Sequence, residues 1–350
     1  MKRDPFDDMH DDPSGPLPPL PAGTCNPIVE RFIPADQNAR ARRRAYVSSA
    51  ILTSVFGVCG ALLAIVELSR KYLESVFRPY TLPTEAVLVW IELAAVVVML
   101  VSWASMWFYK SEWLANRHQA ERYRQTKYQL LIQPEKWNDR HWLTEKLKAV
   151  EALKTSRWPG RTFARLDHSI ERELPSIPFE TEKKMLSGGE VRQLLNYYLQ
   201  KRLTPQKEYF EKRAGSNRFW NSGFFLLEML LALGVVFAFL HGMYSLYRMD
   251  ELRAAESLLL AACMPVVAAY VRSLRSSFEF SRNKSRFASA HGVLLRLEQA
   301  LNRDLKSLPA DDHHGIDAFE ILTRLHCSEH ILVTEHIEWL RLMIETEFFG

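Results

Sequence analysis

Cysteine is scarce in this chain of 350 residues, and the few cysteines are far apart. They stand at positions 25, 59, 263 and 327, and no two have the CxxC spacing. Disulfide-stapled domains and structural zinc clusters both need closely and regularly spaced cysteines. The sequence therefore argues against either scaffold and predicts a reducing compartment for the polar parts.

Catalytic motifs are missing as well. The chain has no glycine-rich phosphate loop, nucleophile elbow, pair of catalytic carboxylates or His-rich metalloprotease motif. His326 and His330 have the i, i+4 spacing of metal ligands, but no second ligand pair of defined spacing accompanies them. We therefore predict no catalytic residue, no metal, no cofactor and no enzymatic activity.

The first 24 residues have no apolar run that could serve as a signal peptide. They hold five aspartates and six prolines instead. This composition cannot bury enough apolar surface to fold, so we predict a disordered acidic tail over 1–24.

Charge is nearly absent from four long stretches of the chain. They are residues 45–66, 86–109, 219–247 and 257–271. Only Glu92 and Glu228 interrupt them. A bilayer core of about 30 Å needs roughly 20 mainly apolar helical residues. The first three stretches are long enough, and the fourth, extended to 254–273, returns after a short loop with Pro265 as a candidate kink. We predict an all-α integral membrane protein with four transmembrane helices.

The predicted organisation is two tandem hairpins of the same orientation, each with helical cytosolic extensions. The hairpins occupy 25–135 and 190–305, a cytosolic helical and loop segment occupies 136–189, and a C-terminal cytosolic helix occupies 306–350. The helix of the second span should continue beyond the membrane, because no Gly or Pro follows it before Pro134. No stretch shows the alternation typical of a strand.

Basic residues flank the four stretches unequally. Counted within 20 residues on the proposed inner side, 21 Lys and Arg lie there, against five in the short loops 67–85 and 248–256. Positive charge stays on the cytoplasmic side of a membrane. The sequence thus predicts a multi-pass protein of the cell inner (plasma) membrane with both termini cytoplasmic.

Glu92 and Glu228 are the candidate pore residues. An ionisable group at membrane depth costs a few kcal/mol and usually faces a bundle interior or water. A ring of such carboxylates would favour cations in a pore. The alternative is that each is protonated or bonded to a neighbouring Ser or Trp within a packed bundle. Glu92 has a further alternative, which is contact with water at the membrane interface.

Small residues recur every fourth position in the first span, at Ser49, Thr53, Gly57 and Ala61. Such a face lets helix backbones approach closely. It predicts helix packing, either within the chain or as a seam between copies of it.

Arg117, Arg122 and Arg124 follow the second span on its helical extension. The sequence is compatible with two kinds of ligand for these arginines: the headgroups of anionic lipids, or another anion such as a nucleotide phosphate. A nucleic-acid platform is disfavoured, because the basic residues follow the membrane junctions.

Two short motifs resemble SLATT-type bacterial membrane effectors. RFIPADQNARARRRAYV leads into the first span, and WLANRHQAERYR follows the second. The second motif is similar to that family's W–R–AE–R signature, with Trp113, Arg117, Ala120, Glu121 and Arg124 in its places. The second half of the chain is similar more loosely, since RFASAH lacks the signature's Glu.

The resemblance implies a protein that oligomerises in the bacterial inner membrane and permeabilises it in antiviral defence, when a nucleotide-linked sensor is triggered. No nucleotide-sensing domain is recognisable here. Either 110–218 senses a signal, or a separate cytosolic protein does, or the chain is no effector. We predict an oligomeric pore or channel; the alternative is a non-conducting membrane scaffold that recruits partners through its cytosolic helices.

Overall fold

The computed structural model describes Met9 and residues 18–69, 85–153, 158–173, 185–277, 280–308 and 315–345. Within these ranges the chain is almost entirely helical, which confirms the predicted helical class. Most of the predicted acidic tail and of the loop 67–85 lie outside the described residues.

The helices of the described ranges are long. They are α1 (Asn26–Leu68), α2 (Glu85–Ile132), α3 (Arg140–Glu151), α4 (Pro159–Glu173), α5 (Gly188–Tyr198), α6 (Thr204–Tyr247), α7 (Glu251–Ser277), α8 (Phe280–Ser307) and α9 (Phe319–Glu345). A 3₁₀ turn, Pro134–Lys136, follows α2, and a π-helical turn, Leu199–Leu203, joins α5 to α6. As predicted, α2 continues past the second apolar stretch and ends just before Pro134.

Two short strands depart from the expected absence of sheet. β1 (Met185–Ser187) pairs antiparallel with β2 (Gly315–Asp317), with Leu186 opposite Ile316. Three residues are too few for a period of two to show in a sequence. The predicted C-terminal helix consequently begins at Phe319, after β2.

A capping box starts α5 directly after β1. The Ser187 hydroxyl accepts from the Glu190 backbone N–H at 3.1 Å, and the Glu190 carboxylate accepts from the Ser187 N–H at 2.9 Å. The reciprocal bonds satisfy two backbone donors that a helix start leaves open. They fix where α5 begins, and α5 leads through the π turn into the third apolar stretch.

The chain divides into two compact units. Unit 1 comprises Met1–Arg43, Lys110–Gly215 and Asn283–Thr346, and unit 2 comprises Arg44–Tyr109, Ser216–Arg282 and Glu347–Gly350. Unit 1 has a conventional apolar core. Its largest cluster gathers Tyr128 of α2, Leu194 of α5, Leu294 of α8 and Leu322 of α9, all at most 1% exposed.

A second cluster in unit 1 lies around Ile28 and Phe32 of α1 and Tyr123 of α2. Met9 belongs to it and is fully buried. The Lys127 ammonium, itself 1% exposed, donates to the Met9 carbonyl at 3.1 Å. Met9 therefore lies in a core although the surrounding composition predicts disorder.

Unit 2 contains the four charge-poor stretches, and its helices expose apolar side chains. Four helical segments of the described chain are long and apolar enough to cross a membrane: Asn26–Leu68, Ala86–Ile132, Gly188–Tyr247 and Glu251–Ser307. In their most apolar windows, only 28%, 17%, 6% and 17% of the residues are buried. These features suggest a multi-pass membrane protein.

Candidate functional site

The polar centre of unit 1 is a buried carboxylate on α2. Glu121 is 7% exposed and is contacted by three arginines. Arg124 Nη1 lies 2.6 Å, Arg117 Nη2 3.5 Å and Arg202 Nη2 3.7 Å from its carboxylate oxygens. Burial alone would raise the pKa of Glu121, but the three guanidinium groups hold it well below its usual value. Glu121 is therefore ionised.

A second buried carboxylate, Glu329 of α9, completes the site. Arg202 Nε and Nη2 donate to its two oxygens at 2.9 and 3.0 Å, which is bidentate geometry. The Tyr198 hydroxyl donates to the same carboxylate at 2.9 Å. Burial and the neighbouring Glu329 raise the pKa of Tyr198 well above its usual value, so its hydroxyl keeps the proton. We call Glu121, Arg124, Tyr198, Arg202 and Glu329 the ionic cluster.

Arg202 is the member that joins the others. Its side chain is 1% exposed and contacts Glu121 of α2 and Glu329 of α9. Its guanidinium carbon also lies 4.7 Å from the centre of the Tyr128 ring, within the range of a cation–π interaction. The π turn that carries Arg202 is thus held to the part of α2 beyond the second apolar stretch and to α9.

A proline stands two positions after the π turn. Pro205 lacks an N–H and cannot bond the carbonyl of Lys201, four residues earlier. The Tyr128 hydroxyl donates to that carbonyl instead, at 3.4 Å. Inserted π turns are rare and often mark functional sites.

Helical spacing explains why the signature residues meet here. Trp113, Arg117, Glu121 and Arg124 recur at intervals of four, four and three along α2, so they share one face. Trp113 packs edge-on against Trp339 of α9 at 5.7 Å between ring centres. The face thus runs from an aromatic contact into the ionic cluster.

Asp36 of α1 extends the network. It is 4% exposed and lies 3.6 Å from Arg117 Nη1 and 2.7 Å from Arg40 Nε. Nearby, Arg42 contacts Glu112 at 2.7 Å. Ion pairs therefore connect the segment before the first apolar stretch with the segment after the second.

A buried histidine pair lies on the same part of α2. His118 is fully buried, and its Nδ1 lies 3.2 Å from His336 Nε2 while its Nε2 lies 3.2 Å from Ser169 Oγ. The two imidazole rings stack at 5.5 Å with an angle of 9°. This chain of hydrogen bonds connects α2, α9 and α4.

The three predicted anion-binding arginines separate in the structure. Arg117 and Arg124 share Glu121 and belong to the buried network, whereas Arg122 is half-exposed on another face of α2. Arg117, which is half-buried, and the buried Arg124 both have internal carboxylate partners. An external lipid or phosphate ligand for all three residues stays a prediction.

The candidate pore residues have different surroundings in unit 2. Glu92 is half-buried on α2. Glu228 of α6 pairs with Arg275 of α7, with 3.2 Å between Oε2 and Nη1. Arg275 also donates to Asn221 at 3.2 Å and lies over the Phe225 ring at 5.3 Å. An arginine partner for Glu228 was not among the expected neighbours.

Part of the small-residue face of α1 packs within the chain. Ser49 and Thr53 are buried, and the Thr53 hydroxyl donates to the Ser49 carbonyl at 2.8 Å. A Cβ added to Gly57 would lie 3.4 Å from Met99 of α2. Ala61, further along, is exposed. Intramolecular packing accounts for the first three positions.

Two glycines bring α6 and α7 together. A Cβ on Gly234 would lie 2.8 Å from Met264 Sδ, and one on Gly242 would lie 3.2 Å from Leu258 Cγ. We call these the glycine contacts. They set the antiparallel register of the two helices, because each lets a side chain of α7 approach the α6 backbone.

His241 also has a partner that the sequence did not reveal. Its Nδ1 lies 2.8 Å from the hydroxyl of Ser257 on α7. A nucleophile and a base at this distance also need an orienting group and a hole for an oxyanion. The His241–Ser257 hydrogen bond lies next to the contact of Gly242 with Leu258, and we interpret it as part of the packing of α6 against α7.

The residues missed by sequence reasoning are Arg202, Tyr198, Glu329 and His118. One signal for Glu329 exists, since it shares the helical spacing of the buried Leu322, Leu325 and Leu332 on α9. A carboxylate on an apolar helix face points to a buried partner. Arg202 and Glu329 are 127 positions apart, so no local pattern could join them.

Metal ligation finds no support among the described residues, which contain no group of three or more His, Cys, Asp or Glu placed to hold an ion. Comparison with models of protein families, with curated proteins and with solved structures finds no match to this chain.

Proposed function

We propose that the protein is a pore or channel formed by several copies of the chain in the inner membrane of a bacterial cell. Each copy crosses the bilayer four times as two tandem hairpins, with both termini in the cytoplasm. The observation that carries the proposal is the set of four long apolar helices with little of their surface buried.

The low burial favours assembly. The window of the third span is 6% buried, and Phe237 within that span is 74% exposed. Lipid covers part of such a surface, and neighbouring copies cover the rest when helices enclose an aqueous path. The exposed Ala61 end of the small-residue face is a candidate seam between copies.

The aromatic residues of α6 agree with a bilayer. Phe225 and Tyr244 are both exposed, and 19 positions at 1.5 Å each separate them by about 29 Å. This length matches the hydrocarbon thickness. Tyrosine is enriched at membrane interfaces, so Tyr244 is placed at one headgroup layer and Phe225 at the boundary near the other.

The ionic cluster supplies a route for control. Glu121 lies on the helix of the second span, and Arg202 immediately precedes the helix of the third. A ligand or partner protein that rearranges the cluster therefore acts on both hairpins through continuous helices. The signal is a nucleotide or a separate sensor, as the resemblance to SLATT-type effectors implies.

Reconstitution tests the pore. The purified full chain is inserted into phosphatidylethanolamine–phosphatidylglycerol vesicles that hold a small cationic fluorescent dye and a large fluorescent dextran. The small dye is cationic because the candidate pore carboxylates favour cations. A pore releases the small dye and retains the dextran, whereas membrane rupture releases both. Vesicles that retain both dyes, with the chain inserted and with nucleotides or a cell extract added, would favour the scaffold.

Images of the detergent-solubilised assembly provide a second test. A pore predicts a ring of copies with a central axis. Monomers in both detergent and crosslinked membranes would contradict the proposal, because four spans that bury so little cannot enclose a path alone.

A further inference from the structure

The pair Glu228–Arg275 lies at one end of the contact between α6 and α7. Its side chains are 21% and 29% exposed, and the ion pair is monodentate at 3.2 Å. Both residues belong to unit 2.

The antiparallel register of α6 and α7 gives the position of Glu228 along the third span. The glycine contacts pair residue 242 with 258 and residue 234 with 264. Continuing this antiparallel register brings Glu228 opposite the end of the charge-free stretch 257–271, where Arg272 and Arg275 follow. Glu228 thus lies near the cytoplasmic mouth of the spans, rather than at mid-membrane.

The pair is only partly satisfied. Glu228 Oε2 accepts from Arg275, whereas Oε1 is buried and accepts no hydrogen bond in the described part of the chain. Arg275 divides its donors between Glu228 and Asn221. A bidentate pair such as Arg202–Glu329 holds firmly, but a single ion pair with an open oxygen can separate at modest cost.

We infer that Glu228 and Arg275 form a latch that keeps the pore closed at its cytoplasmic mouth. The inference rests on the proposed pore and specifies its regulation. In the closed state the guanidinium neutralises the carboxylate and joins α6 to α7. Opening separates the helices there and leaves Glu228 facing the ion path, where its charge favours cations.

Charge variants of the full chain test the latch in planar bilayers and vesicles. Glu228→Gln and Arg275→Gln both remove the ion pair and should each raise the resting leak roughly fivefold, the effect of losing one ordinary ion pair. Their selectivities should be opposite. Arg275→Gln leaves a carboxylate and prefers cations, whereas Glu228→Gln leaves a guanidinium and prefers anions.

The swapped variant, Glu228→Arg with Arg275→Glu, restores the pair and should leak as little as the unmodified chain. Arg275→Lys keeps the charge and should leak less than Arg275→Gln. The matched controls are Asp250→Asn and Arg253→Gln, which break an ion pair of 3.3 Å at the other end of α7. Neither should change the leak.

The outcomes separate the latch from the pore. If the swapped variant leaks as much as the single variants, or the unmodified chain already leaks equally, the latch is wrong and the pore stands. If inserted chains of every variant leave the bilayer tight until nucleotides or a cell extract are added, the latch is wrong and the pore stands. If they stay tight after that addition too, both are wrong. Low leak in the unmodified and swapped chains, with opposite selectivities in the two glutamine variants, supports the latch.

Discussion

The hydroxyl of Tyr128 on α2 donates to the backbone carbonyl of Lys201 in the π turn, at 3.4 Å. This carbonyl is the one that Pro205 cannot bond. A side chain of α2 thus supplies a donor that Pro205 cannot, in the segment that leads to α6. The same turn directs Arg202 into the ionic cluster.

The bond predicts a coupling between Tyr128 and Pro205. Tyr128→Phe should lower the free energy of unfolding by about 1 kcal/mol, because it leaves a half-buried carbonyl without this donor. In a Pro205→Ala background the new N–H can bond the carbonyl, so Tyr128→Phe should cost much less. Thermal unfolding of the four proteins in detergent measures the difference, and equal costs in both backgrounds would contradict the role given to Pro205.

The ionic cluster predicts a large cost for removing one partner alone. Glu329→Leu leaves the buried Arg202 without its bidentate partner and should cost about 3–5 kcal/mol. Adding Arg202→Met should recover much of that loss, since a well-packed apolar pair needs no desolvation of charge.

The matched control on the same helix is Glu320→Gln. Glu320 is 78% exposed and pairs with Arg324 at its surface. Exposed ion pairs contribute at most about 1 kcal/mol. Chemical unfolding followed by tryptophan fluorescence compares the variants, and a cost for Glu329→Leu no larger than that of Glu320→Gln would show that the cluster does not stabilise unit 1.

The ionic cluster also predicts a dependence on pH. Because the pKa of Glu121 is lower in the folded protein than the usual value of 4.5, its ionised form stabilises the fold. That contribution is fully present above pH 4.5 and is lost as the pH falls towards the folded pKa. The stability difference between the unmodified chain and Glu121→Gln should therefore be constant from pH 5 to 8 and narrow below pH 4.5. A difference that widens on acidification would reverse the assigned sign.

The four apolar helices were predictable because each depends on a local run of residues. A stretch of 22 residues without charge, such as 45–66, has few structures other than a membrane helix. The signature residues Arg117, Glu121 and Arg124 were also visible, since helical spacing alone places them on one face. Their partners were not.

Arg202 and Glu329 meet only through the tertiary fold, and no period in the sequence connects them. The pairing of Glu228 with Arg275 was easier to predict from the sequence than that of Arg202 with Glu329. The tight turn after α6 contains Met249, which has a positive φ of 56°. This turn fixes the antiparallel register of α6 and α7. Counting residues from Met249 in both directions along the two helices brings Glu228 and Arg275 near each other. Such counting needs the turn position, which the sequence leaves open by several residues.

Two glycines of α6 predict different responses to substitution. A Cβ at Gly223 meets nothing within 4 Å, so Gly223→Ala should raise stability by up to about 1 kcal/mol through helix propensity. At Gly242 the Cβ would press on Leu258 at 3.2 Å, so Gly242→Ala should gain less, and Gly242→Leu should destabilise the contact of α6 with α7. Melting temperatures in one detergent compare the three. A stabilising Gly242→Leu would mean that the two helices do not approach there.

Membrane orientation predicts which cysteines react from outside an intact cell. Met249, 89% exposed in the turn between α6 and α7, should lie outside, and Lys306 near the end of α8 should lie in the cytoplasm. In a background with the four native cysteines replaced by serine, an impermeant maleimide should label Met249→Cys in intact cells and Lys306→Cys only after the membrane is opened. Tags at the two termini should both need the opened membrane, because an even number of crossings returns the chain to the side on which it began. Labelling of Lys306→Cys in intact cells would show that the orientation is reversed. Termini on opposite sides of the membrane would mean that at most three of the four helices cross it. The two-hairpin arrangement, on which the proposed pore depends, would then be wrong.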